Sequence, residues 1–346
     1  MFKMNGNPPK RILIVNQNWM GDVLFSTPAL RAVRKKFPES FIACLVPPRC
    51  EAVLRNNPHL NEVMLADDRA PFLSLWATAR IVGAIRKRHF DKAIFFHRSK
   101  TKVLWTLLAG VPERTGYAGS ALRSRWLTRA VARPEKPPHK VDYFLNLIGR
   151  DGIAPDGRTL DFYPDPAAEA RLRMLLKEEG VDPDSPYAVL HAGGNWELKR
   201  WPVASFVRWI GLFLKEFPWP VILCGTSAEE KISNAIRSPF PPGRVVSLSG
   251  KTSVDTLALL LKNARVVLSN DSGPIHLAAS QNARIVGLFG PTDPALTGPV
   301  TSAPAVILRK DVGCELPCTF RACDHRVCMD WITPEEVFER TKELLK

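Results

Sequence analysis

The stretch "RVVLSNDSGPIHLAAS", residues 265–280, decides how this chain is read. It begins as an apolar, β-branched run of the kind that fills a buried strand of a parallel sheet. Five turn-forming residues stop that run: Asn270, Asp271, Ser272, Gly273 and Pro274. A helix-like stretch follows at once. Ser272 or Asp271 can cap it, Gly273 lets a backbone or ligand come close, and Pro274 suits a first turn because its missing N–H has no partner there. A helix N-terminus presented this way is a natural seat for a diphosphate. The same residues would also serve a well-capped helix with no ligand.

Outward from this point the grammar repeats. "YAVLHAGG" (187–194) is a strand into a Gly loop, "ASFVRWIGLFLKEF" (204–217) a helix, "PVILCG" (220–225) a strand and "SAEEKISNAIR" (227–237) a helix. "RVVSLSG", "VDTLALLLKNA" and "RIVGLFG" continue the alternation. The first half opens with the strand "RILIV" (11–15) and a Gly-Asp turn, then a helix through "TPALRAVRKKFP"; "FIACLV" (41–46) and "KAIFF" (92–96) are further strands. Strands alternating with helices imply βαβ units and parallel sheets. The fold class is therefore α/β, with two doubly wound, Rossmann-like domains. Their expected extents are 1–165 and 166–330, joined in the soft stretch 151–166, with a closing helix in 331–346 that packs back toward the N-terminal domain. Thr333 is its expected N-cap, with Pro334 at the first helical position.

With 346 residues and 45% hydrophobic content, the chain can build real cores. No apolar run reaches the roughly 18 residues of a spanning helix, and "ILIV" is too short for a signal peptide, so a cytoplasmic protein is expected. The net charge of +14 is uneven: residues 69–140 hold 16 Lys/Arg against 3 Asp/Glu. Such a patch attracts phosphate groups, nucleic acid or a membrane surface.

In open parallel sheets, ligands gather at the carboxyl ends of the strands. That rule selects the loops 16–22, 97–102, 191–200, 225–230 and 269–274, and two domains facing each other with such edges would form a cleft. In "HAGGNWELKRWP" (191–202), Gly193 and Gly194 free the backbone, while Lys199 and Arg200 add positive charge that suits phosphate. Neither a Walker motif nor a G-x-G-x-x-G follows any strand, so the common NTPase and dinucleotide readings lack their fingerprints. Asp22, just after Gly21, complements a helix dipole; it is also a carboxylate that could take a proton from an attacking hydroxyl.

"GDVLFSTPALRAVRKKFP", "KRWP", "NDSGPIHLAAS" and "GLFGPTDPALTGP", in this order, resemble the ADP-heptose:lipopolysaccharide heptosyltransferases, glycosyltransferases of GT-B architecture. The resemblance runs from about residue 11 to the C-terminal helix. The closing "CELPCTFRACDHRVCM" is similar to the tail of the branch acting on inner-core heptose. The resemblance implies that the C-terminal half binds the nucleotide sugar and the N-terminal half the acceptor. It implies Asp22 as the base, Lys199 on the donor phosphates, and Asp271, Ser272, Gly273 and His276 around the diphosphate and sugar. It also implies Glu229 or Glu230 on the adenosine ribose. It further implies donor contacts at Gly193, Gly194 and Asn195, in a loop where some members have hydroxyl residues. ADP-heptose is then a substrate, no further cofactor is required, and without a D-x-D motif at a strand end no essential metal is expected.

Inner-core lipopolysaccharide is anionic and membrane-borne, which gives the basic stretch a purpose. "HRSKTK" offers Arg98, Lys100 and Lys102 to the acceptor. "ALRSRWLTRAVAR" (121–133) spaces Arg125, Arg129 and Arg133 as an interfacial helix would, implying peripheral contact with the inner-membrane cytoplasmic face; a helix packed on its own domain is the alternative. Cys314, Cys318, Cys323 and Cys328 could hold a structural zinc, pair as disulfides or remain thiols, although their gaps depart from paired C-x2-C knuckles. A nucleic-acid-binding protein would fit the charge but shows no recognition motif or stacking aromatics, so no nucleic-acid partner is expected. A non-catalytic nucleotide-sugar binder and a transferase using another nucleotide sugar complete the alternatives.

Overall fold

A computed structural model describes residues 8–67, 75–318 and 322–346. Arg69, where the basic stretch begins, and Thr319–Arg321 of the cysteine tail lie outside the described residues. The chain divides into two compact units, Met1–Asp161 and Phe162–Lys346, at a point inside the soft stretch 151–166.

The first unit holds six strands: β1 (Arg11–Val15), β2 (Phe41–Val46), β3 (Glu62–Leu65), β4 (Lys92–Phe95), β5 (Glu113–Tyr117) and β6 (Arg129–Val131). They form one sheet in the order β3-β2-β1-β4-β5-β6, parallel throughout. The second unit holds β7 (Ala188–His191), β8 (Val221–Leu223), β9 (Val245–Ser247), β10 (Val266–Asn270), β11 (Ile285–Leu288) and β12 (Ala305–Leu308). Their order is β12-β11-β10-β7-β8-β9, again parallel. Each sheet follows the doubly wound 3-2-1-4-5-6 order, so the strand order reverses between β1 and β4 and between β7 and β10. Those two switch points are where loops diverge and leave room for a ligand.

The central strands are apolar on both faces because helices cover both sides. Ile12 to Val15 and Val266 to Leu268 are fully buried. In the second unit Trp201, Phe206, Trp209 and Phe213 fill the layer between sheet and helix, with Trp201 edge-on to Phe206 at a 5.0 Å centroid distance. The closing helix Pro334–Leu345 is capped by Thr333, whose hydroxyl accepts from Glu336 N. Its buried Val337, Phe338 and Thr341 pack within the second unit, against the helix Val203–Glu216.

Strands β3, β5, β6 and β12 add to those expected. β5 reads Glu-Arg-Thr-Gly-Tyr, with no apolar run to announce it. The interfacial helix over 121–133 is corrected: the helix stops at Trp126, and Arg129–Val131 is strand β6, paired with β5 from Thr115↔Arg129. Leu127 turns inward, 7% exposed, and Thr128 N donates to Arg114 O at 2.9 Å. Sheet pairing thus overrides the helical spacing of Arg125, Arg129 and Arg133, which share no helix face.

Candidate functional site

The second unit's site is built at its switch point from the loops after β7, β8 and β10. Asn270, the last residue of β10 and fully buried, ties two of them together. Its amide donates to Ala192 O at 2.9 Å and Gly193 O at 3.1 Å, and its oxygen accepts from Trp201 N at 3.1 Å. Arg200 closes the same loop on itself, donating to Gly194 O at 2.8 Å.

Asp271, 4% exposed, is the charged centre. Its Oδ2 accepts from Lys199 Nζ at 2.7 Å and from the Thr292 hydroxyl at 2.6 Å, and its Oδ1 lies 3.8 Å from His276 Nε2. Ser272 occupies the N-cap position of the helix Gly273–Ser280 but makes no side-chain cap, which corrects the sequence expectation. Asp271 is turned instead to Lys199 and Thr292 through Oδ2, with Oδ1 toward His276. The Ser272 hydroxyl faces His191 Nδ1 at 3.0 Å and Asn270 O at 3.1 Å instead. With no side chain on them, the first-turn amides of this helix keep their capacity to bind an anion.

Of the two acidic candidates, Glu229 is the one hydrogen-bonded into the loop cluster. It accepts from Gly194 N at 2.8 Å, Thr226 N at 2.7 Å and the Thr226 hydroxyl at 2.9 Å, and lies 3.6 Å from His191 Nε2. Burial alone would raise its carboxyl, yet His191 and the Thr226 donors hold it down at about 2. Glu230 begins the next helix and is exposed. Gly193 is required here, because a Cβ would stand 1.7 Å from Glu229 Oε1. Gly194 has a φ of +145°, a backbone that side chains disfavour. Asn195 is exposed at the loop's tip.

The first unit's switch point carries Asp22, in the first turn of the helix Met20–Lys36, a quarter exposed and 3.6 Å from Lys140 Nζ. The loop after β1 is held by Lys102, whose Nζ donates to Asn18 Oδ1 at 2.7 Å and Asn16 O at 3.5 Å. Lys102 is 5% exposed, so it shapes the loop rather than standing open as Arg98 and Lys100 do. Beside them a cavity of about 410 Å³ is lined by Asn18, Asp67, Arg80, His97, Thr101 and Trp105, among others.

The four cysteines of the tail are free thiols lining one cavity of about 490 Å³. Burial and the neighbouring Cys323, Cys314 and Cys318 raise the Cys328 thiol. Among the described residues no three His, Cys, Asp or Glu side chains are gathered as a metal site. The tail braces the loops after β7 and β11: Arg326 donates to Arg200 O at 2.8 Å, and Cys318 N to Pro291 O at 2.8 Å. No described helix is long and apolar enough to cross a membrane.

His191, Thr226 and Thr292 carry no signal of this role in the sequence, and Asn270 reads there only as a turn residue. Only their position at strand ends, beside the candidate residues, could have marked them.

Comparison with known proteins adds four findings. The profile of glycosyltransferase family 9 (heptosyltransferase) matches residues 78–324. The chain is 25% identical over 348 residues to lipopolysaccharide heptosyltransferase 2 of Escherichia coli K12, covering 97% of this chain and 98% of that protein. It is 26% identical to lipooligosaccharide heptosyltransferase 2 of Haemophilus influenzae, covering 96% and 99%. Among solved structures, the E. coli ADP-heptose lps heptosyltransferase II superposes with a TM-score of 0.81 at 22% identity, over 97% of this chain and 98% of that one, which places the fold.

Proposed function

Because the chain belongs to glycosyltransferase family 9, the heptosyltransferases, we propose that it moves heptose from ADP-heptose to the inner core of lipopolysaccharide, inverting the anomeric carbon. The observation that carries this reading is the seat around Asp271, where Lys199 stands beside a helix start that no side chain caps. A lysine held by one carboxylate still has two N–H donors to offer. Together with the amides after Ser272 they meet the charge that builds on a departing diphosphate, a preorganised electrostatic arrangement. Glu229, held ionised by its donors, is suited to accept hydroxyls of a ribose.

In the first unit, Asp22 is the base. Its carboxylate takes the proton as the acceptor hydroxyl attacks the anomeric carbon, and the bond from that carbon to the diphosphate oxygen breaks, releasing ADP. Arg98 and Lys100 face the acceptor. The basic stretch would meet anionic headgroups where this membrane-borne acceptor is presented, at the cytoplasmic face of the inner membrane. The test is a panel of nucleotide sugars with a truncated lipopolysaccharide acceptor, scored by mass. A heptose increment with the ADP donor alone is expected; an increment with another donor, or with none, overturns the assignment.

A further inference from the structure

The first unit carries a cationic cluster in which Arg98, read above as facing the acceptor, is joined by Arg123 and Arg133. Arg123 is 2% exposed; its guanidinium donates to Tyr117 O and to His97 O at 3.3 Å. Arg133 is exposed, and its Nε donates to Ala118 O at 2.7 Å. Gly119 lets the two approach: a Cβ there would stand 2.9 Å from Arg123 Cδ and 3.6 Å from Arg133 Nη2. Tyr143, packed on Tyr117 at a 4.3 Å centroid distance, is their common neighbour. The charges of Arg98, Arg133 and Arg123 all act on it, and those of Arg133 and Arg98 also act on Arg123.

Several other cations of this unit have carboxylates: Arg31 has Asp161, Arg88 has Glu62, and Lys92 has Asp151 at 2.8 Å. Among the described residues, Arg98, Arg123 and Arg133 form no ion pair with a carboxylate. Three unpaired charges this close repel one another, and a bound anion would relieve that repulsion. All three stand just beyond the carboxyl ends of β4, β5 and β6 or on the helix that follows, the edge of an open sheet where ligands collect. One guanidinium satisfies one carboxylate in a bidentate pair; two open guanidinium groups backed by a third charge suit a tetrahedral dianion.

We propose that Arg98 and Arg133, backed by the buried charge of Arg123, bind a phosphate monoester borne by the acceptor. The proposal rests on reading the first unit as the acceptor unit, so its test has one arm that does not need transfer. Inorganic phosphate is titrated by ³¹P line broadening into the full chain carrying Lys199→Ala, which removes the donor-side lysine. Saturable binding is expected, weakened at least about tenfold when Arg98→Ala and Arg133→Ala are added. Acetate should compete at least about tenfold less well than phosphate. Binding that survives both arginine substitutions, or equal competition by acetate, overturns the site.

In the second arm, transfer is measured with untreated and phosphatase-treated acceptor. Arg133→Ala should raise the acceptor KM about tenfold for the untreated acceptor, leave it unchanged for the treated one, and keep kcat within about twofold. Equal effects on both acceptors, or equal wild-type KM for both, would mean that the site takes free phosphate and would overturn the acceptor assignment. Arginine-dependent phosphate binding with no heptose transfer to any acceptor would sink the transfer reading while leaving the anion site standing.

Discussion

Asp22 shares the first turn of its helix with no other acidic residue, and Lys140 is the cation beside it. Asp22→Asn keeps the shape and the hydrogen-bonding capacity but cannot take a proton. It should lower kcat by roughly 10²–10⁴ while leaving ADP affinity within about twofold, read by ADP release and by calorimetric titration. Near-normal turnover would remove Asp22 as the base. On the donor side the sharper residue is Gly193. Its substitution by alanine drives a methyl group into the Glu229 carboxylate, 1.7 Å away, and the carboxylate must leave its donors. Gly193→Ala is expected to raise the donor KM by about tenfold and to cost about 1–3 kcal/mol of stability, measured by donor titration and by urea unfolding.

At the scale of elements, Asn270 joins the end of β10 to the loop after β7 through three hydrogen bonds. Asn270→Ala strands Trp201 N and the carbonyls of Ala192 and Gly193 in a buried site. A loss of about 2–4 kcal/mol is expected, together with weaker ADP binding; a melting curve and an ADP titration would check both. Elements also show what the sequence made legible. Strand-to-loop-to-helix units such as 265–280 announce themselves because a fully buried strand must be apolar on both faces and must end at turn residues. That placed Lys199, Asp271 and Gly193 at the site. Asn270 and His191 carry no such mark, since each acts through partners on a neighbouring strand. The segment 121–133 misled for the converse reason: its arginines are spaced as on a helix, but Thr128 to Val131 are claimed by the edge of β5. Glu229 and Glu230 look alike in sequence, yet one residue of helical rotation separates a group bound by Gly194 N from an exposed one.

At the scale of the molecule, each unit has its own sheet and its own core. The hydrogen bonds described around Asp271, Asn270 and Glu229 all come from the second unit. Residues 162–346 expressed alone should therefore fold and bind ADP within about threefold of the full chain's affinity, without transferring sugar. A fragment that fails to bind would show that the seat depends on residues of the first unit.

The ion pair of Lys199 with Asp271 has a kinetic consequence. A lysine on a free stem would have to be recruited and frozen each time a nucleotide arrived. Here the carboxylate already restrains it, so the loops of the empty protein and of its ADP complex should superpose within about 1 Å. Successive turnovers then begin from the same arrangement, with nothing on that wall to rebuild.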